Sequence, residues 1–213
     1  MARFDAILFD LDGTLLDSIG LILESYRHTL EAHGLPARTD EDVLSGLGTP
    51  LEAQFRRWVG HDGPVAALVE TYIAHNLEVH DRFVRPYPGV TELVRRLAGT
   101  PLAVVTSKRR RGTEMGLRAL GLEDTFEVLV CADDVERPKP HPEPVHRALR
   151  FLGADPARTV FVGDAVHDVE SGKAAGVRTA AVTWGAGARE ALARSAPDTV
   201  SDDGAELARN LIG

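Results

Sequence analysis

The chain has 213 residues, enough for one large domain or a domain carrying an insertion. Its 24 Lys and Arg stand against 32 Asp and Glu, a net charge of −8, which argues against nucleic acid as a partner, because phosphate contacts need clustered cations. One cysteine, Cys131, permits no intrachain disulfide, and no apolar run has the length or setting of a membrane span or signal peptide, so a soluble cytoplasmic protein without a membrane partner is expected.

The first element is an apolar run, Ala6–Phe9, expected to be a fully buried strand. Asp17-Ser18 has the composition of a helix N-cap, and Ile19, Ile22, Leu23, Tyr26 and Leu30 follow at helical spacing. Thr39-Asp40-Glu41 opens a short second helix that Gly46-Leu47-Gly48-Thr49-Pro50 breaks. Leu51, Phe55, Trp58 and Val59 mark a third, and Val65, Leu68, Val69, Tyr72, Ile73 and Leu77 a fourth. No strand signal is found between 16 and 82, so this stretch is expected to be all helical.

Pro86-Tyr87-Pro88-Gly89 marks a boundary, after which the rhythm changes. Helices over 90–97, 111–120, 144–152 and 168–175 alternate with apolar strands over 102–105, 126–130, 159–162 and 179–182. This alternation predicts an α/β fold, a parallel sheet covered by helices on both faces. The first strand joins that sheet, which makes the helical block an insertion. The expected domains are a core of 1–15 with 84–213 and a helical cap of 16–83.

Ligands of open parallel sheets gather at the carboxyl ends of the strands. Asp10 and Asp12 end the first strand, two residues apart and so facing the same way. One suits metal coordination and attack on an electrophile, the other proton movement. Gly13 lets the chain leave the strand sharply, and Thr14 can bond the loop backbone. Thr106 and Ser107 end another strand, where hydroxyls and N–H groups can hold phosphoryl oxygens. Lys139 stands between Pro138 and Pro140, aimed by a stiffened backbone. Asp164 and Asp168, spaced i, i+4 at a helix start, complete the edge. Carboxylates converging from four positions repel unless a cation neutralises them, and a hard, oxygen-liganded ion, Mg2+, fits best.

Other residues carry weaker signals. The 46–50 loop, with Gly48 and Thr49, reads equally as an arm over the site or as an interhelical turn. Arg56 and Arg57 read as a solvated face rather than as anion contacts. His28, His61, His75 and His80 lack metal-ligand spacing with one another, and His141 and His167, beside the candidate residues, read as surface or substrate-edge residues. Trp58, Trp184 and Cys131 read as packing residues.

Taken in order, Asp10-Leu11-Asp12-Gly13-Thr14, Thr106, Lys139 within Arg137-Pro138-Lys139-Pro140-His141-Pro142, and Gly163-Asp164-Ala165-Val166-His167-Asp168 resemble the four motifs of the haloacid dehalogenase superfamily. The resemblance spans essentially the whole chain. It implies a Rossmann-like core with a helical cap after the first motif. Gly13 to Ser18 and Lys139-Pro140-His141-Pro142 resemble the phosphoglycolate phosphatase group, with its pyrophosphatase-type members. By that likeness Asp10 is the nucleophile, forming an aspartyl phosphate, and Asp12 the acid and base. Mg2+ falls to Asp10, Asp164 and the Asp12 backbone carbonyl, with Asp168 holding a water of the ion or orienting Lys139. Thr106 and Lys139 stabilise charge, and Gly13, Thr14, Ser107, Gly48 and Thr49 flank the substrate. The expected substrate is a small phosphorylated metabolite, phosphoglycolate or pyrophosphate, and the expected assembly a monomer or homodimer. An acid at Asp12 favours an oxygen over a halide leaving group. A sugar-phosphate mutase of the β-phosphoglucomutase kind is the alternative on this core, and a phosphate sensor without activity would not need the full set of groups.

Overall fold

The computed structural model describes residues 2–212. In chain order, β1 (Ala6–Phe9) is followed by β2 (Leu16–Asp17), the helices α1 (Ile19–Ala32), α2 (Asp40–Leu44), α3 (Leu51–Val59) and α4 (Val65–Phe83), and β3 (Arg85–Pro86). Then come α5 (Val90–Arg96), β4 (Leu102–Val105), α6 (Arg110–Leu120), β5 (Val128–Val130), α7 (Glu143–Leu152) and β6 (Thr159–Gly163). The chain ends with α8 (Val166–Ala174), β7 (Arg178–Val182), α9 (Arg189–Arg194), β8 (Thr199–Ser201) and α10 (Gly204–Leu211).

Six parallel strands form one sheet in the order β5-β4-β1-β6-β7-β8. Every residue of β1 is buried, because the strand has neighbours on both edges and helices over both faces. Strand alternation sends Ile7, Phe9, Leu102, Val104, Val160 and Val162 into one layer, roofed by α5, α6 and α10. Leu8, Ala103, Val105 and Phe161 enter the other, against Val145, Ala148 and Leu149 of α7. Burying a side chain the size of Phe9 or Phe161 stabilises by about 1.5–3 kcal/mol. From β1 the sheet grows through β4 in one direction and through β6 in the other, so a crevice opens beyond the carboxyl ends of these three strands.

The helices α1 to α4 are the insertion, with an apolar cluster of their own that includes Ile22, Tyr26, Phe55, Leu68 and Val69. Its stem is a feature absent from the sequence expectation: β2 and β3 pair antiparallel, Leu16 with Pro86 and Asp17 with Arg85. The chain therefore leaves and re-enters the core side by side. Strands of two residues have no alternation to detect.

Other differences are local. The 126–130 strand shortens to Val128–Val130, and Phe126 packs edge-on against Phe9 instead. Helix α8 begins at Val166, ahead of the expected start, which puts Asp168 in its first turn. Ser18 does occupy the N-cap position of α1 but makes no capping bond. Elements α9, β8 and α10 lie beyond the last strand expected. Trp58 packs against the cap cluster, Trp184 packs near Tyr87, and Cys131 is a buried free thiol. No helix among the described residues is long and apolar enough to cross a membrane.

Candidate active site

Asp10 is the first residue past β1, and its N–H donates to the Val162 carbonyl of the neighbouring strand at 2.8 Å. Its carboxylate stands with those of Asp164 and Asp168, ligand oxygens from all three lying within 4.8 Å of one another. All three residues are buried. Lys139 enters from the loop after β5, its Nζ 3.0 Å from Asp10 Oδ1 and 2.6 Å from Asp168 Oδ1, and it also donates to the Val105 carbonyl at 3.3 Å.

The surrounding backbone holds these carboxylates in place. Asp164 accepts the Thr14 hydroxyl at 3.1 Å and the Ala186 N–H at 3.0 Å. Asp168 Oδ2 accepts the Ala165 N–H at 3.0 Å, so this carboxylate caps its own helix while its other oxygen faces Lys139. Gly13 has φ +82°, and a Cβ there would overlap the Asp164 carboxylate, so the turn needs glycine for both conformation and space.

Burial dominates the electrostatics. It pushes the Asp10 carboxyl up to about 7, against the pull of Lys139 and with repulsion from Asp168 and Asp12 added. Asp164 is pushed up to about 8 by burial and then by Asp10 and Asp168. Burial works against the Lys139 charge, but Asp10 and Asp168 outweigh it and hold the ammonium above its ordinary value. A cluster with more carboxylates than cations suits a divalent ion. Asp10 Oδ1 is buried with only the Lys139 ammonium beside it at 3.0 Å and no well-aligned hydrogen bond, so it retains coordination capacity for such an ion.

Asp12 stands apart from that cluster. Its carboxylate accepts the Ser18 hydroxyl at 2.6 Å and faces Lys108 Nζ at 3.0 Å. Thr106 and Ser107 border the same cavity, and the Thr106 hydroxyl accepts the Lys108 N–H at 3.2 Å. Ser107 Oγ donates to the Gly48 carbonyl at 3.1 Å, joining the cap loop to the core. Gly13, Gly48 and Thr49 line the cavity with Asp10 and Asp12. Thr14 is buried, and its hydroxyl serves Asp164 rather than the loop backbone. Arg56 and Arg57 are exposed, as a solvated face requires.

Three participants were not anticipated. Lys108 directly follows Thr106-Ser107, and a lysine in a turn of that kind was the available signal. Ser18 carries only the signal of a helix cap. Gly185-Ala186-Gly187 closes over Asp164, where a Cβ at either glycine would collide with that residue; this Gly-rich turn after the last expected strand was its signal.

Residues 7–182 match the family model of haloacid dehalogenase-like hydrolases. The chain belongs to this family and is an enzyme of its phosphatase class. It is 42% identical over 207 residues to Pyrophosphatase PpaX of Anoxybacillus flavithermus, covering 96% of this chain and 95% of that protein. Pyrophosphatase PpaX of Halalkalibacterium halodurans is 40% identical over 200 residues, 93% of this chain and 92% of its own. A crystal structure described as a predicted phosphoglycolate phosphatase from Haemophilus somnus superposes with TM-score 0.91 at 27% identity, covering 99% of both chains.

Proposed function

We propose that this enzyme is a Mg2+-dependent pyrophosphatase working through an aspartyl phosphate on Asp10. The observation that carries the reading is the division of labour between two carboxylates of one motif. Asp10 is buried beside Asp164, Asp168 and Lys139, while Asp12 faces the cavity beside Lys108.

An Asp10 oxygen attacks phosphorus, and the bond from phosphorus to the leaving oxygen breaks as the new one forms. Asp12 gives its proton to that leaving oxygen. Water then attacks the phosphorus and returns a proton to Asp12, freeing Asp10 and inorganic phosphate. Lys139 and Thr106 take up charge on the transferring oxygens. Asp10, Asp164 and the Asp12 backbone carbonyl would hold Mg2+, which lets an anionic nucleophile approach an anionic phosphoryl group. Asp168 positions Lys139. One acid–base group supplies about 10²–10⁴ in rate, so most of the acceleration falls to this arrangement of charge.

Pyrophosphate is the preferred substrate because relatives covering almost the whole chain are pyrophosphatases. Lys108, Arg109 and Arg111 border the cavity from the core and suit a phosphate leaving group. A mutase must retain a second phosphate while its substrate turns over, and the cap lends no Lys or Arg to the cavity wall among the described residues. Phosphate release from pyrophosphate and from phosphoglycolate, with Mg2+, by the wild type, Asp10→Asn and Asp12→Asn tests the reading. Both variants should be inactive; full activity in Asp10→Asn removes the mechanism, and phosphoglycolate preference removes the substrate.

A further inference from the structure

The space above Asp10 and Asp12 measures about 840 Å3. Sites that enclose drug-sized ligands span roughly 300–1,000 Å3. Pyrophosphate has no apolar surface, yet the cap side of this space is mostly apolar, with Thr49, Glu52 and Asn76 its polar members. Its apolar wall is Ile22, Tyr26, Leu47, Leu51, Tyr72 and Ile73. These same residues belong to, or pack against, the cap's own apolar cluster. Ile22 and Tyr26 are almost wholly covered, so the surface offered to the reacting carboxylates is chiefly that of half-buried Leu47, Leu51, Tyr72 and Ile73.

Apolar surface facing water forgoes roughly 25 cal/mol for each Å2 that a ligand could cover. The wall also contains aromatic rings, with Tyr26 and Tyr72 in contact at an interplanar angle of 56°, centroids 4.8 Å apart. Burial, then Tyr26, then the charge of Asp12 raises the Tyr72 hydroxyl well above its ordinary value, which sets this wall within the field of the proton carrier. The one charge the cap adds to the wall, among the described residues, is Glu52, and Arg109 covers it at 2.9 Å. A second phosphate gains nothing from such a wall, whereas an uncharged ring gains its whole apolar area.

We propose that the same site hydrolyses phosphomonoesters whose leaving group is an apolar ring, the ring lying against Tyr72 and Ile73 while the phosphoryl group sits at Asp10. This rests on the aspartyl-phosphate reading above and extends it to a second substrate class. The Asp10–phosphorus bond forms as the bond from phosphorus to the ester oxygen breaks, and the Asp12 proton goes to that oxygen, releasing a neutral alcohol. Water then cleaves the Asp10–phosphorus bond and gives its proton to Asp12, so no further reactant is needed.

Ethyl, benzyl and naphthylmethyl phosphate test this with the intact enzyme and Mg2+, because all three release a primary alcohol and differ chiefly in apolar size. The kcat/KM should rise along the series by about tenfold or more. Tyr72→Ala should reduce the naphthylmethyl-to-ethyl ratio by about tenfold; Ile73→Ala, a smaller change in the same wall, should reduce it in the same direction if Tyr72→Ala fails to fold. A flat or falling series overturns the proposal. Pyrophosphate is assayed alongside: its hydrolysis with a flat series leaves the pyrophosphatase reading standing alone, a steep series without it leaves this proposal standing alone, and no hydrolysis of anything overturns both.

Discussion

Lys108 Nζ lies 3.0 Å from Asp12 Oδ1, just as Lys139 Nζ lies 3.0 Å from Asp10 Oδ1. Two carboxylates of one motif thus have separate cations, drawn from the loops after β4 and β5. Asp10 shares its lysine with Asp168 in a buried cluster, whereas Asp12, among the described residues, shares its lysine with no other carboxylate and accepts the Ser18 hydroxyl as well. Separate surroundings allow two identical side chains to act as nucleophile and as proton carrier.

Lys108→Met should therefore damage turnover more than folding. It removes one of two groups that aim the Asp12 carboxylate, and a hydrogen bond to a charged group is worth about 1.5–3 kcal/mol. The expected loss in kcat is about tenfold to 100-fold. Lys108→Arg should recover part of it, and Ser18→Ala should cost less than Lys108→Met. Steady-state kinetics with pyrophosphate check this, and a wild-type kcat in Lys108→Met would show that the pair has no part in turnover.

The raised values at Asp10 and Asp164 bear on stability against pH. Both groups sit well above their ordinary 3.8, near 7 and near 8. The folded, metal-free protein thus holds protons that the unfolded chain releases, and stability falls as pH rises from about 4 through 8. Asp5, Asp198 and Asp202 are shifted the other way, so their contribution is lost only as pH falls below the ordinary carboxylate range. Mg2+ needs the carboxylates charged, so its benefit grows in the same direction as the loss. Thermal melts should show Tm falling between about pH 5 and pH 8.5 without metal, with a larger Mg2+ shift at the upper pH. Asp164→Asn should flatten both trends.

How much of this was legible follows from the length over which each signal runs. Ala6–Phe9 and Leu102–Val105 are unbroken apolar runs, and the buried strands stand where those runs predict. Three helices of the insertion follow from repeated apolar spacing, and the short α2 from its Thr39-Asp40-Glu41 start. The β2–β3 stem is two residues on each side, too short for any period, and it was missed. Asp10, Asp12 and Asp164 follow apolar runs, Asp168 recurs four residues after Asp164, and Lys139 stands in a Pro-flanked turn, so each is visible in the sequence. Ser18 and Lys108 are not, since their roles depend on where the first loop and the turn after β4 meet in space, and sequence separation hides that. The wall of the cavity was hidden for a related reason. Tyr26 and Tyr72 read as ordinary apolar-face residues, and only the packing of α1 on α4 shows that they border the site.

Lys139→Met tests the buried charge balance. It removes the one cation that, among the described residues, pairs with the Asp10, Asp164 and Asp168 cluster. Removing one partner of a buried pair costs about 3–5 kcal/mol, so the metal-free variant should melt well below the wild type. Because the remaining carboxylates still invite a divalent ion, Mg2+ should raise the variant's Tm by more than it raises the wild type's. Turnover should stay low even with Mg2+, since the charge on the transferring oxygens loses its stabiliser. Equal Mg2+ shifts in the two proteins would mean that Lys139 does not offset the cluster.

Thr14→Val should weaken Mg2+ binding without touching the cavity. The Thr14 hydroxyl donates to Asp164 Oδ1 at 3.1 Å, and the residue is almost wholly buried. Valine keeps the shape and removes the donor, so this oxygen loses the bond that orients it. Groups that orient a metal ligand typically contribute about 10- to 100-fold in affinity. The Mg2+ concentration for half-maximal activity should rise by about that factor, while kcat at saturating Mg2+ stays close to the wild type. Titration of activity against Mg2+ separates the two quantities, and an unchanged midpoint would show that the Ala186 N–H alone suffices to hold Asp164.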